Sequence, residues 1–426
     1  MNSTNLSVRF KKSSKTLVAL AALAATASFA QSSITIYGNL DQGVIRQSDS
    51  GVSFSKISSN SGSTSTLGFR GLEDLGGGNT AGFHLLSELS LPEGQVGSAN
   101  SGAAAATGQK SNFFTRAANV YLTNKDLGTV EIGRLQDIVW QYQGTFNNTN
   151  INSFGWNTAT SVLTNTGQSG ALGNFNRSAT TGYGSTTATP FTAGVNQSSI
   201  GNGAINFAAG WSYISPKLLN NTTTLTYQKI GNNFTGSTAA TSFAAASDAS
   251  YTANVYAGEG QAFGAAYENG PLAVRYAQTT RNGTTNSTGI KNITYGATYQ
   301  MGAYKFVAAQ TQDTFSGSFA TLGTNGFPSA KATGLGVMYD LNATVDLALG
   351  YTTMSDSATA DASKTKILGL TGRYKFTKRT MAYAGYGHGS NSGAYNYQSV
   401  FYGGPGVTGG AASSVTGYIV GVRHSF

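Results

Sequence analysis

The sequence predicts an all-β fold: a closed antiparallel transmembrane β-barrel of about sixteen strands, or eighteen if one further hairpin is counted. Three observations predict it: the composition, a period-two alternation of apolar residues, and links that alternate between short and long. Only 10% of the 426 residues are charged, against roughly 25% in soluble domains. Gly supplies 56 residues, about twice its usual share of roughly 7%. The apolar fraction of 39% lies below the usual ~45–50%, so greasy residues do not replace the missing charge. That excludes a helical membrane protein, whose spans each need about 20 consecutive apolar residues. Gly, Thr and Asn are poor helix formers, and 22 Tyr with 22 Phe are too many aromatics for a disordered chain.

The chain divides at residue 30. Its first fifteen residues carry Arg9, Lys11, Lys12 and Lys15 and no acid, and residues 16–25 (TLVALAALAA) are apolar. Ser28 and Ala30 then place small residues at the third-from-last and last positions of the segment. These are the parts of a secretory signal peptide, and the apolar run is too short to span a bilayer. The expectation is a cleaved leader, 1–30, followed by one barrel domain, 31–426. Removing the four leader bases leaves 22 basic against 17 acidic residues, so the formal charge falls from +9 to +5. The remaining bases are scattered rather than clustered, which argues against a nucleic-acid partner. The absence of Cys fits an exported protein without disulfides.

Strands are read from alternation. Val345, Leu347, Leu349 and Tyr351 alternate with Asp346, Ala348, Gly350 and Thr352. Leu335, Val337 and Tyr339 behave alike, as do Ile293, Tyr295, Ala297 and Tyr299, and Tyr418, Val420 and Val422. Period two gives one apolar face and one small or polar face. A soluble sandwich turns the apolar face inward, whereas an outer-membrane barrel turns it to lipid. Link lengths separate the two cases. Tight turns at 268–271, 300–303, 340–343 and 376–379 alternate with polar stretches such as 311–330 and 391–415, the layout of a membrane barrel. Strands are expected near 34–46, 63–71, 79–91, 111–123, 128–136, 207–215, 222–230, 260–268, 272–280, 291–300, 304–312, 331–340, 345–354, 365–376, 380–389 and 416–426. The even count suits antiparallel closure. Residues 178–186 and 191–197 could add a hairpin and bring the count to eighteen.

The same parity points charges into the lumen. Arg275, Lys305, Arg373, Lys375, Arg423 and Arg70 alternate with apolar neighbours, as do Asp41, Glu88, Glu268 and Asp346, with His84 among them. Bases outnumber acids, so a weak anion preference is expected, because charge lining a narrow channel focuses its field. The plainer reading is that these charges only solvate the wall. Arg134 shares its parity with the apolar Val130 and Ile132, which leaves its direction open.

Several segments resemble the general diffusion porins of Gram-negative outer membranes, of the beta-proteobacterial type. Ser33-Ile34-Thr35-Ile36-Tyr37-Gly38 is similar to the family's first strand, and residues 67–76 (LGFRGLEDLG) to its second strand and first turn. Arg116 to Leu122 with Gly128 to Arg134 resembles the pair preceding its third loop. Residues 421–426 resemble its terminus, where the final aromatic, here Phe426, is read by the barrel-assembly machinery through the C-terminal strand. The resemblance implies passive passage of small hydrophilic solutes, a homotrimer, outer-membrane lipid and lipopolysaccharide as surroundings, and a third loop folded into the lumen as a constriction. It also places Arg116 at that constriction. The chain departs from the family here, since 136–206 holds one acid, Asp137, and one base, Arg177. Trp140, Phe154 and Trp156 stand out in that stretch, and Asn39 and Thr66 occupy positions where porins often place bases. A largely uncharged constriction is therefore expected.

No cofactor, metal site or enzyme activity is expected. His84, His388 and His424 are far apart with no Cys beside them. The Gly clusters at 76–78 and 201–203 precede no helix that could hold a phosphate, and no G-x-S-x-G nucleophile motif occurs. Two alternatives remain: a substrate-specific channel in which loop aromatics stack on sugars, and a barrel with an adhesive surface role.

Overall fold

The computed structural model describes residues 33–49, 52–96, 113–164, 207–231, 260–282, 289–316, 329–356, 364–392, 399–401 and 414–426. The strands are β1 (Ser33–Asp49), β2 (Val52–Ser59), β3 (Thr66–Gly76), β4 (Asn79–Ser90), β5 (Gln95–Val96), β6 (Ala117–Asn124), β7 (Gly128–Gln136), β8 (Phe207–Ile214) and β9 (Thr223–Ile230). They continue with β10 (Gly260–Asn269), β11 (Leu272–Asn282), β12 (Gly289–Met301), β13 (Tyr304–Ser316), β14 (Ser329–Asp340), β15 (Val345–Asp356), β16 (Lys364–Lys375), β17 (Thr380–Ser392) and β18 (Ser414–Ser425). Two helices, α1 (Ile138–Thr145) and α2 (Trp156–Thr164), follow β7.

Sixteen of these strands form one closed antiparallel barrel, with β2 and β5 outside the ring. β18 closes it against β1 from Asn39↔Ser425 to Asp49↔Val415. Past the last paired strand residue, Gly38 and Phe426 exchange backbone hydrogen bonds of 3.2 and 3.1 Å. Closure is physically required, because hydrocarbon offers no partner to an open strand edge.

β15 shows how alternation becomes two environments. Leu347, Leu349 and Tyr351 are exposed on the outer surface, while Asp346, Ala348, Gly350 and Thr352 are buried inside. Two turns at the short-link end depend on glycine: Gly270 and Gly302 adopt φ of +55° and +58°, a left-handed backbone that a β-carbon penalises. Aromatic rings gather near the same end, with Tyr304 stacked on Tyr339 at 4.7 Å and Tyr374 against Phe376 at 5.0 Å.

All sixteen barrel strands coincide with expected ones, but three features differ. The strand expected at 111–123 starts only at Ala117, after bends at 113–116. The strand expected at 63–71 starts at Thr66, because residues 60–65 turn into the lumen and bond to Asp41 and Glu88. The two strands beyond sixteen are β2 and β5. β2 extends the upper half of β1 as a hairpin, from Gln42↔Ser59 to Asp49↔Val52. The hairpin considered at 178–197 and the leader 1–30 lie outside the described residues.

Candidate pore and the segment that fills it

After β7 the chain turns inward. Asp137 caps α1, accepting a 2.8 Å hydrogen bond from the Val139 N–H. The same carboxylate accepts from the Thr279 hydroxyl at 2.7 Å and pairs with Arg281 at 3.1 Å, both side chains almost fully buried. α1 is thereby pinned to the inner face of β11. Ile138, Val139, Tyr142 and Gln143 are its buried side. Trp140, Gln141 and Gly144 lie on the opposite side, where Gln141 is exposed and Gly144 has open space beside it.

Residues 146–156 then run across the inner face of β14 to β18. The Asn148 amide donates to Leu335 O at 2.9 Å and Thr352 Oγ1 at 3.1 Å. The Asn150 amide donates to Asp346 at 3.0 Å. Ser153 N–H donates to Ser61 O at 3.0 Å, and Phe154 N–H to Val400 O at 2.8 Å. Trp156 closes the segment on itself, its indole N–H donating to Gln143 O at 2.8 Å. Phe154 and Trp156 are both 0% exposed.

The wall makes room for this segment by omitting side chains. A β-carbon on Gly334 would lie 2.7 Å from the Trp156 ring, and one on Gly336 would lie 2.6 Å from Asn148. Gly385 and Gly387 sit directly under the Phe154 ring. These glycines all face inward, so part of the Gly-rich composition is a seat for the lumen segment. Three stretches distant in sequence, 60–65, 146–160 and 399–401, meet there over a buried cluster that includes Ile45, Ile367, Phe401 and Ile419.

Charges on the inner wall divide by sign. The acids are largely committed to holding the lumen segments. Asp41 is fully buried and accepts from Gly62 N–H at 2.9 Å and the Tyr383 hydroxyl at 3.0 Å. Asp346 receives Arg373 Nε at 2.7 Å, Arg373 Nη2 at 3.0 Å and Lys375 Nζ at 2.9 Å, in addition to Asn150. Glu88 receives the Asn60 amide at 3.1 Å and Arg116 at 2.6 Å. Glu268 is shared by Arg275 at 2.5 Å and Lys217 at 3.1 Å.

The bases exceed these partners. Arg423 Nε donates to Asn39 Oδ1 at 2.8 Å. Lys305 has no carboxylate within 4 Å among the described residues and is repelled by both Arg275 and Arg373. Arg70, exposed, lies 5.4 Å over the Tyr37 ring, and Tyr37 hydrogen-bonds His84.

Placement of the expected site residues is therefore uneven. Asp41, Arg70, His84, Glu88, Arg275, Lys305, Asp346, Arg373, Lys375 and Arg423 have inward register. Arg116 sits just before β6 and reaches the lumen side through Glu88. Asp137 is buried in its pair rather than open to the channel, and Trp140 is half-buried on the open side of α1. Arg177 lies outside the described residues. Arg134 is on the outer face, in register with Ala118 and Ala209, and donates to Thr115 O at 2.7 Å. Four inward charges among the described residues were missed: Asp313, fully buried on β13 one residue past its expected end, Asp340, opposite Asp346 at the turn, and Glu131 and Arg281. Glu131, between the outward Val130 and Ile132, was legible by parity. Arg281 was hidden because β11 runs two residues past the expected strand.

The sequence profile described as Gram-negative porin matches residues 16–394. Outer membrane porin protein 32 of Delftia acidovorans is 38% identical over 123 residues, which is 28% of this chain and 31% of that relative. The chain thus aligns with about a third of that relative's length. The anion-selective porin from Comamonas acidovorans superposes with a TM-score of 0.62 at 22% identity, covering 93% of this chain and 100% of that one. In-vitro folded OmpT of Vibrio cholerae, described in a trimer form, gives 0.53 at 11% identity over 93% and 99% of the two chains. At these identities the superpositions speak to fold, and the profile speaks to family. Because the profile runs through most of the barrel just described, the chain belongs to the Gram-negative porin family: it is an outer-membrane β-barrel channel and not an enzyme.

Proposed function

We propose that this porin is a passive diffusion channel for small hydrophilic solutes and ions, narrowed by the segment after β7 and weakly selective for anions. The carrying observation is the charge imbalance of the β11–β18 wall. There Asp346 serves both Arg373 and Lys375, and Lys305 has no acid partner among the described residues. The half-buried Glu131 on the opposite wall carries the other sign, which keeps the preference modest. The Comamonas protein's description as anion-selective agrees in sign. The test is single-channel recording of the refolded protein in a salt gradient. A zero-current potential on the anion side is expected, and one on the cation side overturns the proposal. The double variant R70Q/K305Q is expected to lose most of the preference while keeping its conductance.

A sugar-specific channel would need rings open to the path. Phe154 and Trp156 are fully buried, leaving Trp140 as the ring of the three at the lumen edge. Saturable current blocked by sugar would favour that second reading.

A homotrimer is part of the proposal. The exposed large hydrophobics on the outer faces of β1, β6 and β7 are aliphatic: Ile34, Ile36, Val44, Val120, Leu122, Val130 and Ile132. On β8 to β13 the outer rings include Trp211, Tyr227, Phe263, Tyr276, Tyr295 and Phe306. Aromatic side chains suit a lipid interface, and β15, β16 and β18 mix their exposed Leu and Val with Tyr351, Tyr374 and Tyr418, so the ring-free set on β1, β6 and β7 is the one assigned to a neighbouring subunit.

A further inference from the structure

We propose that the inner wall formed by β1, β3, β4 and β6 holds a binding subsite for aromatic carboxylates: Arg70 takes the carboxylate, and the rings of Tyr37, His84 and Tyr121 receive the plane of the solute. The proposal deepens the diffusion-channel reading above and rests on it. Arg70 stands in a cross-strand row, opposite Thr35 on β1 and His84 on β4, and His84 is in turn opposite Asn119 on β6. That row contains no acid. Arg70 is exposed, with no carboxylate within 4 Å among the described residues. Glu88, the inward acid four residues from His84, is taken by Arg116. Glu131 lies on β7, three strand spacings or about 14 Å from the β3 backbone. The guanidinium is therefore an unpaired cation facing the lumen.

The second observation is independent of charge: glycines let two tyrosine rings lie across the wall on either side of that row. Tyr37 is opposite Gly68 and covers it, so that a β-carbon there would collide with the ring. Tyr37 then hydrogen-bonds His84, and the two rings stack at 6.0 Å with 28° between their planes. Tyr121 reaches over from β6 in the same way. It covers Gly82, its partner in register, and its hydroxyl donates to Gly71 O at 3.5 Å. Gly68 and Gly82 lie two residues to opposite sides of the Arg70–His84 row, about 7 Å along the strands. The guanidinium lies over the Tyr37 ring at 5.4 Å, and a guanidinium stacked on a ring keeps its planar fork of N–H donors for a carboxylate. An aliphatic acid would use the fork and leave the rings uncovered, and a neutral aromatic would do the reverse. An aromatic carboxylate meets both features at once.

The test is the chloride conductance of the refolded porin in a planar bilayer near neutral pH, titrated with benzoate and with cyclohexanecarboxylate. The second acid has the same charge and similar bulk but no aromatic plane. Benzoate is expected to halve the conductance at a concentration roughly fivefold lower, the size of one ring-stacking or cation–π contact. R70K keeps the charge but lacks the planar fork, and is expected to bring the two acids together. Y121L is expected to do the same by removing a ring, with heat-modifiable gel mobility as the check on folding. Equal block by the two acids, or none, overturns the proposal, as does undiminished discrimination in either variant. The same recordings give the zero-current potential in a chloride gradient. A potential on the cation side would overturn the anion-preferring channel itself, a result separate from failure to discriminate the two acids.

Discussion

Asp346 illustrates how one side chain serves both the fold and conduction. It is buried, yet four donors on Arg373, Lys375 and Asn150 satisfy it. Asp346→Asn should release Arg373 and leave Lys375 with only its longer 3.9 Å contact to Asp340, raising the anion-to-cation permeability ratio roughly twofold, since charge in a narrow lumen acts through a focused field. The reversal potential measures this, and an unchanged value would place those bases outside the ion path. Asp137 is the opposite case, because its partner Arg281 is as buried as it is. Breaking a buried ion pair by removing one member typically costs about 3–5 kcal/mol, and Asp137 also caps α1. Asp137→Ala should therefore lower the urea midpoint of the refolded barrel by a readily measured amount. Phe426 pairs with Gly38 through its backbone, and its ring lies over that glycine on the outer face. If that ring is the handle for barrel insertion, deleting Phe426 should cut the outer-membrane yield in cells while leaving refolding in detergent intact.

At the scale of elements, the lumen segment and its seat are a matched pair. Phe154 fits β17 only because Gly385 and Gly387 lack side chains beneath it. Gly387→Val should lift the segment from the wall and raise single-channel conductance, and Phe154→Ala should act in the same direction by removing the ring that anchors it. Equal conductance in both variants and the parent would mean that the segment does not limit the bore. The strands themselves were legible because alternation is local: each side chain's face follows from its neighbours two residues away. The path of 137–160 was not legible in this way. Its anchors, Asn148 to Leu335 and Ser153 to Ser61, join residues about 190 and 90 positions apart, and no local pattern encodes them. β2 was overlooked because its exposed Val52 and Ile57 alternate only weakly among serines and one lysine.

For the whole molecule, the purely aliphatic set of exposed large hydrophobics on β1, β6 and β7 carries the assembly prediction. Leu122→Lys or Ile132→Lys should abolish the trimer that the proposal expects on unheated gels, because a subunit contact has no water to receive the charge. A lysine at the lipid-facing Tyr295 should instead cost about 2–4 kcal/mol of barrel stability if that residue lies near the bilayer midplane, and less near its edge, without changing subunit number. Trimers that persist in both interface variants would assign the contact to another sector.

The sequence by itself determined the class of this protein, an exported barrel with one apolar and one polar face. Those properties are set by composition and by a period that any short window reveals. It also placed Arg275, Lys305, Arg373 and Arg423 on the inner face by parity alone. Only the tertiary structure decided which charges stay available to a solute. Asp41, Asp137 and Asp346 read as lumen acids in sequence, yet each is covered by a chain segment distant in sequence. Burial depends on what the closed barrel folds into itself, and that is a property of long-range packing rather than of any residue's neighbours along the chain.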